Sequence, residues 1–114
     1  KLDSAFDSTV AIMNKPAGQY TVERTVELLG LFKGDFILQT MFLRGEYNGQ
    51  QIDNTTEEEV TAWLKIVEKL SPRQVMVYSL DRDTPCQTLE KVSREELMQI
   101  AERVQALGIE CSVA

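Results

Sequence analysis

The sequence predicts an α/β fold in which parallel strands alternate with helices, and three observations carry that expectation. Two segments combine a helical apolar stripe with a start signal and a stop signal. Between them lie short, nearly continuous apolar runs, the pattern of strands buried on both faces. The strand starts, near residues 36, 74 and 109, recur at intervals of roughly 35 to 38 residues, a βα repeat length. Strands that alternate with helices imply βαβ crossovers and a parallel sheet. The chain therefore reads as a single domain over 1–114, a partial βα array of about three and a half units.

Lys1-Leu2-Asp3-Ser4 looks like the tail of a strand entered without its beginning, and a helix is expected near 6–13. A natural polypeptide seldom starts inside a strand, so the expectation is that 1–114 is part of a longer chain. The next helix is expected over 22–32, with Thr21 as N-cap, Val22, Val26 and Leu29 on one face, and Gly34 beyond its end. A strand follows at 35–43. Arg44-Gly45-Glu46-Tyr47-Asn48-Gly49 is polar and reads as a loop leading to Asp53-Asn54-Thr55.

The helix at 57–70 has Thr56 and Glu59 in capping-box spacing, Val60, Trp63, Leu64, Val67 and Leu70 as its stripe, and Pro72 after it. Its partner at 94–107 repeats the design with Ser93, Glu96 and the stripe Leu97, Ile100, Ala101, Val104 and Leu107, stopped by Gly108. Strands are expected at 74–80 and 109–113. Between them Asp81 to Leu89 is polar and reads as a long βα loop. In parallel α/β sheets ligands bind at the carboxyl ends of the strands, which makes these two loops the place to look for chemistry.

Composition narrows the function classes. With 43% apolar and 26% charged residues, the 114-residue chain suits one ordinary soluble core. A net charge of −6 disfavours a phosphate backbone as partner. Histidine is absent, which removes the commonest general base and the commonest zinc ligand. The two cysteines, Cys86 and Cys111, lie too far apart for a metal knuckle and read as free thiols. No apolar run approaches the roughly 18–20 residues of a membrane span, and no leader pattern is visible at Lys1. The expected compartment is the cytoplasm.

Leu2-Asp3-Ser4, Asn14-Lys15-Pro16, the run from Phe36 to Gly45 and the run from Val75 to Arg82 resemble the second half of a radical S-adenosylmethionine (SAM) barrel. The likeness is to the pyruvate-formate-lyase-activating type, related to molybdenum-cofactor and wyosine-pathway enzymes, and spans nearly the whole chain. It implies a half βα barrel from a larger oxidoreductase. In that family a CxxxCxxC loop holds a [4Fe–4S] cluster that cleaves SAM to a 5′-deoxyadenosyl radical. The present chain has no CxxxCxxC, so the resemblance implies that cluster and SAM belong to the full-length parent. This half is then expected to bind neither firmly and to catalyse nothing alone.

By the same resemblance, the SAM cradle falls on Asp3 and Ser4, on Gln39, Met41 and Arg44, and on Tyr78 and Ser79. Asp81 and Arg82 fall where substrate is met. Gln39 interrupts an apolar strand, and a buried amide there needs partners, from a ligand or from the barrel's own network. For Arg44 the alternative is a surface salt bridge, and for Asp81 and Arg82 an ion pair within their loop. The expected partners are the missing N-terminal half, or another copy of the chain through open strand edges. A small α/β ligand-binding or interaction module is the competing reading. It lacks the glycine-rich phosphate loop that such modules normally carry.

Overall fold

The computed structural model describes residues 1–14, 21–47, 49–80 and 89–114. Helices α1 (Asp7–Asn14) and α2 (Val22–Gly30) precede strand β1 (Ile37–Met41), then β2 (Leu43–Tyr47) and β3 (Gln50–Asp53). Helix α3 (Glu57–Leu70), β4 (Gln74–Tyr78), β5 (Leu89–Lys91), α4 (Arg94–Gln105) and β6 (Glu110–Val113) follow. Helices α2, α3 and α4 start where their stripes and caps predict, and α1 falls close to the span expected near 6–13. None is long and apolar enough to cross a membrane.

The main sheet is parallel, in the order β1-β4-β6, with Ile37 opposite Gln74 and Gln74 opposite Glu110. Residues 1–4 run beside β1 in the same direction. The Leu2 N–H donates to the Gln39 carbonyl at 3.1 Å, the Thr40 hydroxyl donates to the Leu2 carbonyl at 2.7 Å, and the Met41 N–H donates to Asp3 Oδ1 at 2.9 Å.

Strand alternation divides the side chains cleanly. Leu38 and Thr40 of β1, Val75 and Val77 of β4 and Cys111 of β6 are buried. They belong to one layer with Val60, Trp63 and Val67 of α3 and Leu97, Ile100 and Val104 of α4. On the opposite face Ile37, Gln39 and Glu110 are exposed, and Met41, Met76, Tyr78 and Ser112 partly so. The expectation of strands buried on both faces is thus corrected. An apolar run does not distinguish one covered face from two, because Ile37, Met41 and Met76 are apolar yet lie on the uncovered side.

A second correction concerns 44–49, read as a loop leading to Asp53. It is a hairpin, with Tyr47 opposite Gln50 and Arg44 opposite Asp53. The two intervening residues are Asn48-Gly49, a strong two-residue hairpin signal, and Gly49 has φ +78°. β5 adds to β2 on the other side, giving an antiparallel sheet β3-β2-β5 at the carboxyl end of β1.

The capping boxes form only by half. Thr56 and Ser93 accept from the N–H of Glu59 and Glu96, each at 3.2 Å. The Glu59 carboxylate accepts instead from the Ser4 and Thr9 hydroxyls, both at 2.6 Å, and Glu96 pairs with Arg44. Each glutamate ties a helix start to a neighbouring segment.

The turn before β1 rests on the turn that ends α3. Gly34 has φ +85°, and a Cβ there would stand 2.7 Å from the Ser71 carbonyl oxygen. Arg73 N–H donates back to the Gly34 carbonyl at 2.8 Å. Gly34→Ala is expected to lower stability by about 2 kcal/mol, combining left-handed strain with a backbone clash. A loss below about 0.5 kcal/mol in urea unfolding would show that the two turns separate easily.

Candidate functional site

The carboxyl end of the parallel sheet holds a compact polar group on the face opposite α3 and α4. Asp3 has a fully buried side chain that takes the Met41 N–H and pairs with the Lys1 ammonium at 3.2 Å. Partial burial works against the charge on Lys1. Asp3, together with the Tyr78 hydroxyl within hydrogen-bond reach, outweighs it and holds the ammonium above its usual pKa. Met41 stands opposite Tyr78 in the ladder. Lys1, Asp3, Met41 and Tyr78 therefore share one patch, with Gln39 one step below on the same face.

Gln39 itself is exposed, not buried, which removes the need for a buried partner that the sequence had raised. It sits at an odd position of β1, in phase with exposed Ile37 and opposite to buried Leu38. Ser4 turns the other way: its hydroxyl donates to Glu59 and accepts from the Phe6 N–H at 3.0 Å, starting the turn into α1. Ser79 donates to the Phe42 carbonyl at 2.6 Å and accepts from the Val92 N–H at 2.8 Å, so it clips β4 to the chain on both sides. Arg44 lies on β2 and is bound to Glu96. That hydrogen bond keeps the guanidinium firmly charged. Asp81, Arg82 and Cys86 lie outside the described residues.

Asn54 organises the end of the sheet, and sequence reasoning passed over it. Its side-chain amide donates to the carbonyls of Asp3 and Met41, both at 2.8 Å, and its oxygen accepts from the Leu43 N–H at 2.9 Å. Asn54 is only 1% exposed. Beside it an apolar recess of about 180 Å³ is lined by Ile12, Met13, Met41, Leu43, Ile52, Leu80 and Leu89. The site thus pairs an ammonium and a phenol with an apolar hollow.

The described residues do not fit an iron–sulfur cluster. Among them no group of three His, Cys, Asp or Glu side chains converges. Cys111 is buried under α4, and burial pushes its thiol up to about 11, the opposite of what a thiolate ligand needs. A ligand with a carboxylate or hydroxyls meets suitable donors at Lys1, Gln39 and Tyr78.

No family model matches this chain. Neither does any curated protein or any solved structure.

Proposed function

We propose that this chain is the C-terminal half of a radical SAM barrel, a wall of the SAM and substrate cavity that is inactive by itself. What supports the reading is the parallel order β1-β4-β6, in chain sequence, with residues 1–4, which are not a strand, lying beside β1 through the bond from Leu2 N–H to the Gln39 carbonyl. Helices α3 and α4 cover one side. The other side is exposed at Ile37, Gln39 and Glu110 and carries its polar groups at the carboxyl ends, where barrel enzymes bind their ligands. In such an enzyme bound SAM supplies the hydrogen-abstracting radical, and the cluster ligands would come from the other half of the barrel.

The role of the present residues is binding. The Lys1 ammonium attracts a carboxylate, oriented from behind by the buried Asp3. The Tyr78 phenol offers a hydroxyl partner. Met41 and Met76 give a soft apolar floor that sheds water. A different observation favours the non-catalytic reading, a small ligand-binding or interaction module: Ser4 and Ser79 spend their hydroxyls on internal bonds, and Arg44 is paired with Glu96.

The encoded residues before Lys1 separate the two. A CxxxCxxC about 90 to 120 positions upstream, about three βα units away, is expected from the barrel reading, and its absence would overturn that reading. Titration calorimetry on the 114-residue chain should show SAM binding no tighter than about millimolar, near −4 kcal/mol. Micromolar affinity in the chain alone would contradict the assignment of the main SAM contacts to the other half.

A further inference from the structure

We infer that two copies of this chain pair through the groove between α2 and α3, with their α2 helices antiparallel about a two-fold axis at Gly30. The half-barrel reading is not needed for this, because no residue lining the groove belongs to residues 1–4, β1, β4 or β6. The groove is the largest hollow among the described residues, about 630 Å³, with Val26, Ile66 and Leu70 as its apolar floor.

Its two ends carry opposite charge. Glu23 and Glu27 line the end nearer the start of α2. Lys33 and Lys69 line the other end, where both helices finish and the turn at Gly34 rests on Ser71, the C-cap of α3. Neither lysine has an ion-pair partner among the described residues, although the chain holds 18 acidic residues against 12 basic. Glu27 meets only Arg24, at 3.3 Å, and both side chains are well exposed, so that pair holds it weakly. Asp7, also on the lining, is already taken by the Val22 N–H at 2.7 Å.

A groove that is acidic at one end and basic at the other is complementary to itself when turned end for end. Glu27 and Lys33 stand three positions on either side of Gly30. An axis at Gly30 therefore sets Glu27 of each copy against Lys33 of the other, and the contact is made twice. Gly30 meets Gly30 on the axis, where the missing side chain lets the two backbones approach. A Cβ there would have nothing within 4 Å in a single copy, so the room is open. Leu31 follows on the same row as Glu23 and Glu27, at helical spacing along the rim. It is 76% exposed in one copy and in the pair drops onto the apolar floor of the other.

The test is the mass in solution. Sedimentation equilibrium at about 50 µM, a concentration at which a micromolar dimer is nearly complete, should give twice 12.9 kDa. Gly30→Leu puts a side chain on the axis without a clash inside one copy, and should yield a monomer with an unchanged far-UV spectrum. Glu27→Lys sets like charges together at both ends and should weaken the dimer by about ten-fold or more. Adding Lys33→Glu to that variant should restore it, and this pair of reversals gives the answer even if Gly30→Leu does not fold. A monomeric parent chain, which is also what a groove built for a different protein would give, overturns the pairing. So does a dimer that Glu27→Lys leaves unchanged or that Lys33→Glu fails to restore. None of these results touches the half-barrel reading, which stands or falls with the upstream cysteines.

Discussion

Trp63→Ala is expected to lower stability by about 3–5 kcal/mol, the usual cost of emptying a large buried aromatic site. Trp63 is 1% exposed and meets Phe42 edge-on, with ring centroids 5.3 Å apart at 86°. Its indole N–H donates to the Thr40 hydroxyl at 3.1 Å, and that hydroxyl donates onward to the Leu2 carbonyl at 2.7 Å. Truncation therefore opens a cavity between α3 and β1 and loosens the attachment of residues 1–4. Domains of this size hold only about 5–15 kcal/mol in total, so the variant should melt far below the parent. Trp63→Phe separates the two effects. It keeps most of the ring contact and loses the N–H, at about 1–2 kcal/mol. If both variants cost the same, the hydrogen-bond relay and not the packing holds this layer.

Asn54→Ala is expected to lower stability by about 3 kcal/mol, roughly a hundred-fold in the folding equilibrium. The change orphans the buried Leu43 N–H and the carbonyls of Asp3 and Met41 together. Asn54→Asp is the informative control. Its carboxylate still accepts from Leu43, but its second oxygen would face two carbonyls that need a donor, so it should rescue little. Rescue by aspartate, or a loss under about 1 kcal/mol in chemical denaturation, would show that water replaces the amide at this junction.

Local patterns made the helices and the parallel segments legible. Apolar stripes at helical spacing, with Thr21, Thr56 and Ser93 before them and Gly34, Pro72 and Gly108 beyond, need no distant partner to be read. The β2-β3 hairpin was equally local, in Asn48-Gly49, but the polar residues around it resemble a loop. Asn54 was not legible: in sequence it is one more polar residue before a helix. What makes it a junction is Asp3, 51 positions away, and Met41, 13 away. Glu59 and Glu96 show the same limit, since capping-box spacing cannot reveal that Ser4, Thr9 and Arg44 compete for their carboxylates. Gln39 was misjudged because the strand's apolar neighbours hide which face is bare.

The seating of residues 1–4 has a consequence in time. Leu2 and Asp3 are held by Gln39, Thr40, Met41 and Asn54, the last of them 51 positions later. At about 5–20 residues per second, a ribosome needs about 3–10 s to deliver Asn54 after Asp3. For that interval this segment waits without the residues that seat it, so it is fixed only some seconds after it is made.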